Sequence, residues 1–304
     1  MELENNSIKP LVSIGMPIYN GEKFIRKRFE NILSQTYQDF EIIIYDNSDD
    51  STPKICKEYA LKDKRIHYTY EKNLRTVEYA FNFVLQKATT KYFVWAADDD
   101  EWHPQFLEKN LHILENDSTV VGSIGQVKRY GPEIEEFAFT TNDLFFNKIY
   151  KKIRRHFRHF GHVSIHANSY EKRARKFLRQ HEELIIYAIF RTKNLQESFV
   201  FGIKSWKKTM LNILKYGNFN VENEVLWYWH TGSSGIDNLL NQHKKKLIPL
   251  NELLFPYSEY AFWCIKNIGL KFFLKNIDFF ILSNTLYYFI LTSNCIMVIR
   301  NKLK

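Results

Sequence analysis

Between residues 11 and 127 the chain alternates short apolar runs with amphipathic stretches, and few folds can use that alternation. The runs cover 11–16, 40–45, 66–70, 92–97 and 120–124. Most are apolar throughout, which predicts strands covered on both faces. Phe24, Ile25, Phe29, Ile32 and Leu33 mark one face of a helix, and Ala80, Phe83, Val84 and Ala88 mark another. Thr52-Pro53 reads as a helix cap followed by proline at the first helical position. Pro104 opens a fourth helical pattern carrying Phe106, Leu107, Leu111 and Leu114. Repeated β-α units of this kind form an α/β domain with a mostly parallel sheet, and ligands of such sheets sit beyond the carboxyl ends of the strands.

The second half is less regular. Residues 184–190 read as one further strand, 206–216 as a helix, and 221–236 as an aromatic, Gly/Ser-containing loop near the site. The 130–180 stretch is strongly basic through Arg154, Arg155, Arg158, Lys172, Arg173, Arg175, Lys176 and Arg179. His156, His159, His162 and His166 would share one face of a helix, as metal ligands can. Gly161 interrupts them and no Cys or acidic partner adjoins, so a basic, phosphate-facing surface is the preferred reading. Residues 277–299 are long enough to span a bilayer. However, Asp278, Ser283, Asn284, Thr285, Thr292, Ser293 and Asn294 interrupt them, and Lys271, Lys275, Arg300, Lys302 and Lys304 flank them. That pattern predicts a helix lying on a membrane or packed on the main domain, with an ordinary core helix pair as the alternative.

The net charge of +9 points to anionic partners such as a nucleotide, a phospholipid or a polyprenyl phosphate, and no nucleic-acid recognition motif accompanies it. Cys56, Cys264 and Cys295 lie far apart with no metal spacing, and MELENNSIKP lacks the apolar core of a signal peptide. A reducing, cytoplasmic setting is therefore expected.

Two acidic segments stand where strands end. Asp98-Asp99-Asp100 follows the apolar run 92–97. Three adjacent carboxylates repel one another, and a cation relieves this best, with Mg²⁺ or Mn²⁺ bridging carboxylate to phosphate. Asp46-Asn47-Ser48-Asp49-Asp50-Ser51-Thr52 follows 40–45, and its later residues also read as a turn and helix cap.

Taken in order, these segments resemble family 2 glycosyltransferases. Residues 12–21 (VSIGMPIYNG) are similar to that family's opening strand, and 32–43 (ILSQTYQDFEII) to its S-x-Q-T-x-x-D-x-E-I-I run. Residues 45–52 match its acidic loop, Asn73 and Asn82 fall at its Asn positions, and Asp98-Asp99-Asp100 falls on its D-x-D motif. The resemblance covers about 10–130. It implies a GT-A fold: α/β, with a Rossmann-like, mostly parallel sheet, flanking helices and here a helical C-terminal extension. The GT-A domain would span 1–250, with 10–130 as the nucleotide-sugar half, 131–250 as the acceptor side, and 251–304 as an apolar helical segment.

The resemblance further implies inverting, metal-dependent transfer from a nucleoside-diphosphate sugar, most often a UDP-sugar, to a glycan or polyprenyl-phosphate-linked acceptor. The expected setting is the cytoplasm, at the inner face of the membrane, through peripheral contact. Asp46 matches the base contact, Asp98 the ribose side, and Asp100 the Mn²⁺ or Mg²⁺ ligand. Asp98 and His230 are further metal candidates. Pro17, Tyr19 and Asn20 match the loop beneath the nucleotide, and Asn73 and Asp99 join the binding set. Phe81 stands where the family often has Arg, so Arg75 is the substitute candidate. Further on, 203–206 (IKSW) stands where many members have G-S-D-W. Ser205 thus replaces the usual general base and cannot serve unaided at neutral pH. Glu197 is the preferred replacement, ahead of Glu222, Glu224 and Asp237. Two alternatives stay open: a nucleotidyltransferase, which would need a Gly-rich loop absent at Gly15-Met16-Pro17, and a catalytically impaired, glycosyltransferase-like binding protein.

Overall fold

A computed structural model describes residues 10–73, 75–131, 162–179, 184–202, 205–231, 255 and 257–285. The first four strands are β1 (Val12–Ile18), β2 (Phe40–Asp46), β3 (Ile66–Tyr70) and β4 (Tyr92–Trp95). All pair in parallel, in the order β3-β2-β1-β4. Between them run α1 (Ile25–Leu33), α2 (Thr52–Lys62) and α3 (Val77–Lys87). Every residue of β1 is buried, as a continuous apolar run predicts for a strand covered on both faces.

The sheet continues through β7 (Ile189–Arg191), β6 (Val120–Tyr130), β8 (Asn218–His230) and β5 (Glu101–Trp102), giving the order β3-β2-β1-β4-β7-β6-β8-β5. β7 is antiparallel to both β4 and β6, so β4 and β6 point the same way. β8 runs parallel to β6, and β5 pairs antiparallel with β8. The parallel strands therefore share one exit edge, where β1, β2 and β4 hand over to loops. The sheet with its flanking helices has the expected α/β architecture, and the described residues 258–285 near the C-terminus are largely helical.

α4 (Phe106–Asn116) packs beside β6, and α5 (Tyr170–Arg179), α6 (Thr192–Ser198) and α7 (Ser205–Ile213) follow. Trp95 anchors this layer. It is fully buried, its Nε1 donates to the Phe81 carbonyl at 3.1 Å, and its ring lies 5.1 Å from Phe93 and 6.0 Å from both Phe199 and Trp206. Truncating such a ring costs about 3–5 kcal/mol. Gly15 permits the close approach of α3, because a Cβ there would stand 2.5 Å from the Phe93 ring and 2.7 Å from Val84. The chain then enters α8 (Ser258–Asn267), α9 (Leu270–Leu274) and helix α10 over 277–285.

The structure differs from the sequence reading in three places. Residues 184–187 form a 3₁₀ turn and only Ile189–Arg191 is strand. The apolar run reports burial, and burial alone does not set the backbone period. Residues 221–230 are not loop but the greater part of β8. Its aromatic residues pair with β6 and β5, and the Gly/Ser cluster beginning at 232 lies outside the described residues, as do Asp237, His156 and His159. The segment 162–169 is not helical. His162 is buried while His166 is exposed, so these two do not share a face.

Candidate active site

The exit edge gathers three loops. β1 ends in Ile18, and Tyr19 and Asn20 lead into α1. The β1–β4 ladder ends at Gly15–Trp95, with Ala96 N donating to the Gly15 carbonyl at 2.9 Å. Pro17 therefore lies where the two strands have parted, and a residue without an N–H costs least there. Asn20 takes the left-handed backbone (φ 54°), which Asn tolerates better than most residues. Its N–H donates to Ser48 Oγ at 2.7 Å and its Oδ1 accepts from Asp49 N at 3.0 Å. Glu22 and Asp50 add a second reciprocal pair, with Ser51 N donating to Glu22 and Glu22 N to Asp50. The β1–α1 and β2–α2 loops are thus stitched together.

Asp46 closes β2, fully buried. Its Oδ1 accepts from Ser48 N at 2.8 Å and its Oδ2 from the Tyr68 hydroxyl at 2.7 Å. Burial raises its pKa while the Ser48 and Tyr68 hydrogen bonds oppose the rise. Neither oxygen opens to solvent, and the Oδ1 bond to Ser48 N fixes the turn that follows β2. Asn47, which sequence reasoning passed over, ties this turn to the third loop: its Nδ2 donates to the carbonyls of Glu71 at 2.6 Å and Asn73 at 3.1 Å. Asn73 and Arg75 are exposed on that loop, and Arg75 is paired with Glu71 at 2.6 Å.

Asp98, Asp99 and Asp100 form a buried turn between β4 and β5, with exposures of 1%, 9% and 3%. The turn lies against the β1–α1 loop: a Cβ on Gly21 would stand 2.4 Å from Asp98 Oδ2. The last residue of β8 reaches it from the other side. His230 N donates to Asp100 Oδ1 at 3.0 Å, and His230 Nδ1 lies 3.7 Å from Asp99 Oδ2. Burial first, then the neighbouring Asp99 charge, hold the Asp100 pKa well above the usual carboxylate range, opposed by Arg28 and the His230 amide. Arg28, on α1, is another residue that sequence reasoning missed. Burial lowers its pKa to about 10, which leaves it a cation at neutral pH.

Carboxylate oxygens with one imidazole suit a hard divalent cation. Among the described residues no three such side chains converge into a complete metal set. The arrangement fits an ion held by one or two carboxylates and completed by phosphate oxygens, with Gly21 leaving room for the Asp98 carboxylate.

Sequence reasoning looked for a base elsewhere. Glu197 lies apart from this edge. Its Oε2 accepts from the Tyr216 hydroxyl at 2.7 Å, and Gln196 beside it donates to the Leu85 and Ala88 carbonyls. Tyr216 precedes β8, where Asn218 N meets the Thr119 carbonyl at 2.8 Å just ahead of β6. That is the entry edge of the parallel strands, so Glu197 is not positioned to act with Asp100. Glu224 is paired with Lys109, and Glu222 accepts from Asn220 at 2.9 Å. Ser205 is the buried first residue of α7, and its neighbour Trp206 packs on Trp95 and Phe81.

Comparison with known proteins agrees with this architecture. A putative teichuronic acid biosynthesis glycosyltransferase of Bacillus subtilis, TuaG, is 35% identical over 107 residues, 35% of this chain and 42% of TuaG. An uncharacterized glycosyltransferase of Rickettsia typhi is 35% identical over 113 residues, 37% of this chain and 34% of its own length. The chain thus matches only about a third to two-fifths of these curated relatives. The S. aureus TarS 1–349 structure, in complex with UDP-GlcNAc, superimposes with a TM-score of 0.54 at 16% identity, covering 84% of this chain and 66% of that one. Its likeness is one of fold, the GT-A fold. The model described as "Glycosyl transferase family 2" matches residues 13–199, more than half of the chain. The chain belongs to glycosyl transferase family 2.

Proposed function

We propose that this glycosyltransferase takes its sugar from a nucleoside-diphosphate sugar, a UDP-sugar in the first instance, and passes it with inversion to a glycan or polyprenyl-phosphate-linked acceptor. The observation that carries the reading is the convergence of the stitched 19–22 and 46–51 loops with the buried Asp98–Asp100 turn at one sheet edge. In it Pro17, Tyr19 and Asn20 form the floor under the nucleotide, Asp46 fixes the base-side turn, and Asn73 and Arg75 border it. Asp98 and Asp99 face the ribose and diphosphate. Asp100, with Asp98 and His230, would hold Mn²⁺ or Mg²⁺, which when bound offsets charge on the departing diphosphate. The protein's own part is to bind and orient the donor, fix the acidic turn through the His230 amide, and exclude water by burial. The TarS complex with UDP-GlcNAc makes a UDP-sugar the donor to test first. Peripheral attachment to the inner face of a membrane completes the proposal. Among the described residues no helix is long and apolar enough to cross one, and residues 286–299 lie outside them.

Calorimetry with UDP and GDP, each with and without Mn²⁺, tests this reading. UDP should bind more tightly with Mn²⁺, and Asp100→Ala should remove that gain while the variant unfolds as a cooperative, folded protein. Equal nucleotide affinity with and without the ion, in both proteins, sinks the assignment. A second reading, a binding protein on an inactive scaffold, rests on one observation: Ser205 stands at the start of α7, and Glu197 lies at the opposite edge.

A further inference from the structure

Arg28 is a buried charge to which the proposed chemistry gives no task. It is 1% exposed, on the face of α1 that also buries Ile25, Phe29 and Ile32. Its guanidinium carbon stacks 4.2 Å above the Trp102 ring, and Nη1 donates to Asn31 Oδ1 at 2.8 Å. The same Oδ1 accepts from Trp102 N at 2.8 Å, while Asn31 Nδ2 donates to the Trp102 carbonyl at 2.9 Å. Arg28 is thereby clamped against β5, the strand that directly follows the acidic turn. Its Nε and Nη2 are buried with no acceptor in hydrogen-bond range.

As packing alone this is costly, because a buried guanidinium with two unspent donors is less stable than an aliphatic side chain of similar volume. The charge is tolerable only with compensating charge close by. Glu101 is engaged elsewhere, by Lys27 at 2.5 Å and the Tyr130 hydroxyl at 3.0 Å. Arg28 is pinned over Trp102, two residues beyond Asp100, and there the charges of the acidic turn, Asp100 first, with Tyr130 behind them, oppose the lowering of its pKa by burial. We propose that Arg28 is the resident counter-cation of the Asp98–Asp100 turn, a positioning residue that holds the three carboxylates at the exit edge before a divalent ion or diphosphate arrives. The inference takes the importance of this turn from the donor-site reading, but it is read out on the protein without nucleotide.

The experiment is thermal unfolding of the full chain in EDTA and in Mn²⁺ alone, for wild type, Arg28→Met, Arg28→Lys, Asp100→Asn and the Arg28→Met/Asp100→Asn double variant. Breaking one side of a buried charge cluster should lower the Tm of Arg28→Met by roughly 6–12 °C in EDTA. Arg28→Lys, which keeps the charge, should recover part of that loss. Asp100→Asn should raise the Tm more in the Arg28→Met background than in wild type, and Mn²⁺ should do the same. A loss in Arg28→Met that is indifferent to both Asp100→Asn and Mn²⁺ would mean Arg28 merely fills space, and the proposal falls. Should Arg28→Met not fold, the same cycle on Arg28→Gln, which also removes the charge but stays polar, reads the coupling, and strict additivity there overturns it. Absence of nucleotide binding would defeat the donor reading while leaving this coupling in place, so the two failures are distinct.

Discussion

His162 shows how much a single buried residue can control. It is 3% exposed, its Nδ1 lies 3.1 Å from the Gly125 carbonyl, and burial lowers its pKa to about 4. A carbonyl only accepts, so Nδ1 carries the proton of a neutral ring. In the unfolded chain the ring titrates near 6.5. The unfolded state therefore binds the extra proton first, and the stability held above pH 6.5 is lost as pH falls from 6.5 towards 4. At one proton the loss reaches about 3 kcal/mol. In denaturant titrations across that range, His162→Gln should flatten the acid slope by about one proton. An unchanged slope would mean the ring takes up a proton without opening the fold. At this scale the sequence was partly legible. Three adjacent Asp residues after an apolar run could be read as a site, because their spacing is local. Arg28 could not, because nothing local marks it, and Gly21 and Asn47 fell inside matched segments without a role, because their roles come from the element that folds over each one.

Among the elements, the β-α alternation through β1, β2, β4 and β6 was legible because these strands are mostly continuous apolar runs and each helix shows one apolar face, whereas the half-exposed β3 and the two-residue β5 carry a weaker signal. β8 was not legible. Its aromatic residues suggested a loop, yet it pairs along most of β6 and delivers His230 to Asp100. The short β7 hid within an apolar run that also contains the 3₁₀ turn. Element direction also decides the fate of Glu197. α6 leaves β7 at the entry edge, and Tyr216 holds Glu197 there at 2.7 Å. Glu197→Gln should therefore leave turnover, followed by release of the donor's nucleotide, within about two-fold of wild type. A loss of ~10²-fold, the usual cost of removing a general base, would return Glu197 to the catalytic role.

For the whole molecule, the arrangement of charge and apolar surface beyond the sheet matters most. α5 turns Lys172, Arg175, Lys176 and Arg179 to one side, while Ala174, Phe177 and Leu178 are buried on the other. Arg179 pairs with Asp278 at 2.7 Å and Lys275 with Glu171 at 3.1 Å, which ties this cationic helix to α10 and to the end of α9. Alongside, Phe262, Leu274, Ile281 and Leu282 are exposed on the C-terminal helices, Phe262 at 69% and Ile281 at 61%. A cationic stripe joined to an exposed apolar face suits a helix lying in an anionic bilayer surface, where each cation near the headgroups contributes about 1 kcal/mol. Flotation of the full chain with anionic and neutral liposomes checks this. Binding should require anionic lipid and weaken at high salt, since the charges are screened. Ile281→Glu/Leu282→Glu and Lys172→Glu/Arg175→Glu alter only exposed positions, so each variant should stay folded yet lose most of its flotation. If both variants float as wild type does, the attachment lies elsewhere on the chain. If wild type ignores anionic vesicles, this face meets protein, and a soluble glycan becomes the acceptor to test. Resistance of the bound chain to both salt and carbonate would instead mean that part of it inserts into the bilayer.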